Sequence, residues 1–152
     1  RFSEKELLGG SGRFGMAAAN ARRPRLDSMK FLLVTNISIR AIAGKEPDAS
    51  FLAKAIKGNT VVLSVITMGE FLSKSSANEE VAFDKLRQAF SVLPINEETA
   101  RIAADYRKAS LQTSRTKLLD CFLAAQAKAH DAVLVTNNRS DFPMRDIRVI
   151  AP

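Results

Sequence analysis

Three carboxylates in unlike surroundings carry the first chemical signal of this chain. Asp120 stands in the run Leu118-Leu119-Asp120-Cys121-Phe122-Leu123, where every neighbour is apolar. Buried unpaired, such a carboxylate costs several kcal/mol, so it requires a cation, a donor network or a cleft. Capping a helix start, or lying on a solvated strip, are the structural alternatives. Glu70, in Met68-Gly69-Glu70-Phe71-Leu72, reads by itself as an early-helix acid complementing the helix dipole. Taken with Asp120 and Asp141, it suggests a carboxylate cluster of the kind that holds Mg2+ or Mn2+, hard cations that select oxygen ligands and keep several waters. Such a site favours phosphate chemistry.

The elements that must position these acids are short and alternate in type. Strand one is the apolar run that opens Phe31-Leu32-Leu33-Val34-Thr35-Asn36. Similar runs follow over Thr60–Ser64, Ser91–Ile95, Ala132–Thr136 and Ile147–Ile150, and Pro94 demotes the third toward a sheet edge because it cannot donate to a ladder. Between them, Asp48 can cap a helix that runs to Lys57, with Gly58 placed to stop it. A helix over Glu79–Phe90 sets Val81, Phe83, Leu86, Ala89 and Phe90 on roughly one face. Asn96 can cap a helix carrying Ala100, Ile102, Ala103 and Tyr106, and Thr116–Ala129 repeats the theme with Leu118, Leu119, Phe122, Leu123 and Ala125. Strand and helix in alternation predict an α/β fold with a central parallel sheet of about five strands, right-handed crossovers and flanking helices.

In open sheets of this kind, ligands bind beyond the carboxyl ends of the strands. That filter selects Thr35 and Asn36 after strand one, Thr67 and Glu70 after strand two, and Thr136, Asn137, Asn138 and Asp141 after strand four. Ser64 and Thr67 read equally as a strand-end serine and a helix cap. Arg115 and Lys117, near Asp120, are the preferred basic contacts to a phosphate backbone. Arg107, Lys108, Arg139, Arg145 and Arg148 read rather as solvated. His130, without a second histidine or a cysteine cluster, reads as a helix-end residue, and Cys121 as core.

Composition bounds the function class. The 152 residues, 46% hydrophobic, suffice for one sizeable core and an appendage. Lys and Arg number 23 against 16 Asp and Glu, a formal charge of +7 that favours polyanionic partners. One cysteine excludes an intrachain disulfide. No run approaches the roughly 18 apolar residues of a membrane span, and a cytoplasmic setting is expected. Residues 1–28 mix a Gly/Ser cluster with six basic and three acidic residues, which predicts a basic flexible extension ahead of a domain over 29–152.

Four separated blocks, MKFLLVTNISI, LSVITMGEFL, LLDCFLAAQAKAHDAVLVTNN and RSDF, resemble in order and spacing the signature blocks of PIN-domain ribonucleases, above all the VapC toxins of VapBC toxin/antitoxin pairs. The likeness runs from Met29 to the C-terminus, about four fifths of the chain. It implies a three-layer PIN-like fold and a metal-dependent endoribonuclease toxin that cleaves RNA through an acidic Mg2+ or Mn2+ site. A cognate antitoxin and a homodimer are the partners it implies, with no membrane. The family's second and third acids fall on Glu70 and Asp120, and its fourth position on Asn138, with Asp141 close enough to share the role. The first acid is missing: the family reads LLDTN where this chain has Leu32-Leu33-Val34-Thr35-Asn36. Valine offers no lone pair, so metal placement and RNA cleavage should both be impaired at Val34. The alternative is a degenerate, non-catalytic PIN module that binds RNA or a protein partner. For residues 1–28 the resemblance suggests an antitoxin-like tail in which Arg22, Arg23 or Arg25 reaches the acids; a linker or a non-native remnant are the other readings, and a dispensable segment is favoured.

Overall fold

The structure, a computed structural model, describes residues 29–58 and 60–152. The expectations for residues 1–28 lie outside it.

Among the described residues five strands form one parallel sheet: β1 (Lys30–Leu33), β2 (Val61–Ser64), β3 (Ser91–Leu93), β4 (Ala132–Val135) and β5 (Val149–Ile150), in the order β3-β2-β1-β4-β5. All the pairings are parallel, with Phe31 opposite Val61 on one side of β1 and Val133 on the other. β1 therefore lies at the centre, and the chain moves outward from it twice, to β2 and β3 and then to β4 and β5. The residues of β2 and β4 are buried throughout, as continuous apolar strands covered on both faces must be. β3, with Pro94 following it, is an edge strand as the sequence predicted.

Among the described residues six helices flank the sheet: α1 (Thr35–Ile42), α2 (Asp48–Lys57), α3 (Val65–Leu72), α4 (Ala77–Arg87), α5 (Glu97–Ser110) and α6 (Leu118–Ala129). α1 packs on α2, α3 and α4, while α5 runs along α6 through Ala103, Cys121 and Ala125. Asn96 caps α5 by accepting the amide of Thr99 at 2.9 Å. Phe71 of α3 stacks on Phe83 of α4 with ring centroids 4.6 Å apart, and Phe31 meets Phe51 edge-on at 5.3 Å. No described helix is long and apolar enough to cross a membrane.

Two local expectations need correction. Asp48 opens α2 but does not cap it: the cap position is Pro47, without a side-chain bond, because the Asp48 carboxylate is drawn inward to Arg40 and Asn137. Val81, Leu118 and Leu119 are exposed. Their helices bury a narrower stripe than apolar periodicity implies, centred on Phe83 in α4 and on Cys121, Leu123, Ala124 and Ala125 in α6. Phe51, Leu52 and Phe83 turn into or against the core.

Candidate active site

The cleft lies where the strand order reverses direction, at the carboxyl ends of β1 and β4. β1 ends at Leu33, and Val34 links it to α1 in extended conformation, occupying the N-cap position of that helix. Its amide donates to the Val135 carbonyl at 3.2 Å, and its carbonyl accepts the amides of Ile37 and Ser38 at 3.1 and 3.2 Å. Only 6% of Val34 is exposed. An N-cap favours Asp, Asn, Ser or Thr because a side-chain oxygen can accept a free amide of the first turn; valine leaves that role unfilled.

Val34, Thr35, Asn36, Glu70, Asp120, Leu123, Thr136, Asp141 and Phe142 line a cleft of about 170 Å³. Glu70 reaches it from the last turn of α3 rather than from an early turn. A carboxylate there opposes the helix dipole, which removes the bland reading of this acid. Its compensation is the hydroxyl of Thr35, which donates to the Glu70 carboxylate. Asp120 enters from the first turn of α6, and Asp141 from the short 3-10 turn Arg139–Asp141. Burial pushes the Asp120 carboxyl above the usual carboxylate range. Asp141 and then Glu70 push it the same way by repulsion, while Lys117 pulls it down. Asp120 thus senses both of the other acids across the cleft.

Not every residue expected at the site reaches it. Thr67 is fully buried and its hydroxyl donates to the Leu33 carbonyl at 3.2 Å, so it braces β1 against α3 instead of facing a substrate. Ser64 caps α3 through the amide of Ile66 at 3.0 Å. The Thr136 hydroxyl accepts the Asn138 amide at 3.0 Å; the Asn138 side chain then donates to the Asp141 carboxylate at 2.7 Å, and Asn137 points the other way, to Asp48. Lys117 sits at the N-cap of α6. Arg115 occupies the tight turn before it, with a left-handed φ of 49° and its amide bonded to the Ser110 carbonyl at 2.8 Å. His130 closes the C-terminus of α6, and Cys121 is buried.

Two features escaped the sequence. Leu123 and Phe142 form an apolar wall of the cleft, indistinguishable in sequence from other core residues. Gln126, fully buried in α6, donates to the carbonyls of Leu93 and Pro94 at 2.9 and 3.1 Å; it fastens the end of the edge strand, and among the described residues its Oε1 has no hydrogen-bond partner.

Oxygen donors are the right kind for a hard cation, but they fall short in number and arrangement. Val34 contributes none, while the bonds from Thr35 and Asn138 engage one oxygen each of Glu70 and Asp141 and leave the set short at position 34. Among the described residues no group of three His, Cys, Asp or Glu side chains is set to hold a metal ion. The cleft as it stands does not fit a tightly bound metal.

A parallel α/β protein with a carboxylate-lined cleft at the switch point of its sheet is the class that fold and site define. The PIN-domain family model matches residues 31–147, and the chain belongs to that family, as a VapC-type member. It is 32% identical over 123 residues to ribonuclease VapC2 of Rickettsia felis, spanning 75% of this chain and 90% of that protein. The crystal structure of VapBC2 from Rickettsia felis, bound to a DNA fragment from the promoter, superposes with a TM-score of 0.70 at 24% identity, over 81% of this chain and 98% of that one. FitAcB from Neisseria gonorrhoeae gives a TM-score of 0.64 at 27% identity, over 79% and 96%. VapC nucleases of this family generally depend on a divalent metal ion.

Proposed function

We propose that this chain is an endoribonuclease toxin of a type II toxin/antitoxin system by descent, and that Val34 impairs its cleavage of RNA. The observation that carries the reading is the convergence of Glu70, Asp120 and Asp141 on one cleft beside a buried apolar side chain. A carboxylate restored at position 34 would add the missing oxygen donor at a strand end already flanked by acids. Mg2+ or Mn2+ is then the ion of choice, because an all-oxygen set selects hard cations. Around it, Thr35 holds Glu70 and Asn138 holds Asp141, while Lys117 and Arg115 supply positive charge for the RNA backbone.

A cognate antitoxin, a second copy of the chain and a cytoplasmic setting complete the proposal. The first of these is supported by the likeness to VapBC2 of Rickettsia felis and to a toxin–antitoxin complex from Klebsiella pneumoniae. The rival reading is a non-catalytic PIN module that binds RNA or a protein, and Val34 itself favours it.

The test compares the chain with its Val34→Asp variant for RNA cleavage in Mg2+ and in Mn2+. A gain of about a hundredfold or more is expected on restoring the carboxylate, the scale on which loss of one group that stabilises a transition state is felt. Equal activities would remove Val34 as the cause of impairment. An inert variant that still binds RNA would establish the rival.

A further inference from the structure

Asp48 is the one fully buried acid among the described residues, and neither the cleft nor the cap of α2 uses it. Its carboxylate accepts from Nε of Arg40 in α1 and from the side-chain amide of Asn137 at 3.2 and 3.3 Å. Arg40, whose side chain is 41% exposed, also reaches the Glu46 carbonyl at 3.5 Å. A buried charge needs both a counter-charge and its remaining lone pairs satisfied, and the two partners divide that work. Arg40 supplies the charge, from an element next to α2. Asn137 comes from the turn after β4, on the far side of the central strand in the sheet order.

That turn is the one that presents Asp141. Within it, Asn138 is fixed by Thr136 at its amide and by Ser140 at its Oδ1, 2.7 Å away, and its side chain donates to Asp141. Every one of those bonds is internal to residues 136–141; the Asn137–Asp48 bond ties the same residues to α2. We propose that Asp48 is a positioning residue: neutralised by Arg40, it anchors Asn137 and thereby holds the 136–141 turn so that Asp141 faces Asp120. For its catalytic consequence the proposal rests on reading the cleft as an RNA-cleavage site; the tether itself does not depend on that reading.

If Asp48 merely stapled α1 to α2, Arg40 would suffice and Asn137 would be expendable. The single variants that discriminate therefore leave the Arg40–Asp48 pair intact. Asn137→Ala removes the tether, Asn137→Asp opposes it with a second carboxylate, and the exchange Asp48→Asn with Asn137→Asp rebuilds an amide–carboxylate bond with donor and acceptor swapped.

Hydrogen–deuterium exchange of the full chain reads the tether directly, since local opening is reported segment by segment. Exchange over 136–142 is expected to rise about fivefold or more in Asn137→Ala and Asn137→Asp, with β1 and α5 unchanged, and to return to within about twofold in the exchanged pair, as coupling between contacting residues requires. No change over 136–142 in either single variant, a rise spread equally through β1 and α5, or no recovery in the exchanged pair would each overturn the proposal. In the Val34→Asp background, RNA cleavage should fall about tenfold with Asn137→Asp and recover with the exchange. A Val34→Asp chain that cleaves nothing refutes the RNA-cleavage reading, and the exchange measurement still decides the tether.

Discussion

The hydroxyl of Thr35 donates to the carboxylate of Glu70, joining the first residue of α1 to the last turn of α3. The contact holds an acid in an unfavourable place on its helix and does so directly beside Val34. The local problem is an excess of negative charge with a neutral hydroxyl as its partner.

Val34→Asp adds to that excess, yet the new carboxylate would sit at an unfilled N-cap. Capping is worth roughly 0.5–2 kcal/mol, which offsets part of the cost of a buried charge among acids. Without metal the variant should melt below the parent chain, and Mn2+ should raise its melting temperature by mass action while moving the parent little. Thermal melts across a Mn2+ titration check this; equal shifts in both chains would show that position 34 is not a ligand site.

Asp120 makes stability depend on pH in an unusual direction. Its folded-state pKa is raised, by burial first and by Asp141 and Glu70 after. A raised acid contributes stability that is fully present below its unfolded value, about 3.9, and lost as pH rises through the folded value. Asp120→Asn removes the titration, so the variant should be the more stable chain near about pH 7, with the gap closing toward about pH 3.5. Parallel melts at the two pH values decide it, and a gap that widens in acid would contradict the assigned sign.

Phe83 is 1% exposed and stacks on Phe71, one residue beyond Glu70. Phe83→Ala should cost about 3–5 kcal/mol in urea unfolding, the range for truncating a buried aromatic. Val81→Ala on the same helix, at an exposed position, should stay within about 0.5 kcal/mol. Comparable losses would mean that the two faces of α4 are wrongly distinguished.

Two glycines should respond with opposite signs. Gly44 has φ +70°, and a methyl group added there would meet no atom within 4 Å, so Gly44→Ala incurs only backbone strain of about 1–2 kcal/mol. Gly69 lies within α3 and has the same open space for a methyl, so Gly69→Ala should stabilise by about 0.5–1 kcal/mol through helix propensity. Calorimetric unfolding of both variants is the check.

The parallel sheet of about five strands and the edge on which its polar residues gather were legible in the sequence because both follow from patterns read along the chain. Five apolar runs separated by helices leave few arrangements, and Pro94 marked its strand as an edge. That Glu70, Asp120 and Asp141 gather beside one another was legible from their places relative to the strands. What sequence misread depends on partners far away in the chain. Asp48 looked like a cap because Arg40 and Asn137 become visible only on folding. Thr67 looked like a site residue because nothing local reveals that its hydroxyl turns to Leu33. Leu118 and Leu119 looked buried because periodicity locates a face without fixing its width; and the position of Glu70 on its helix depended on where α3 ended, the least legible feature of any helix.

The central strand is followed by a residue whose backbone is fully engaged whatever its side chain: the Val34 amide bonds Val135 and its carbonyl starts α1. The crevice is thus drawn by main chain, and the side chain there is a replaceable fitting. Aspartate and valine codons are separated by a single base change, so on the proposed reading one mutational step would silence or rearm the cleft while the scaffold, and any surface a partner recognises, stayed under uninterrupted selection.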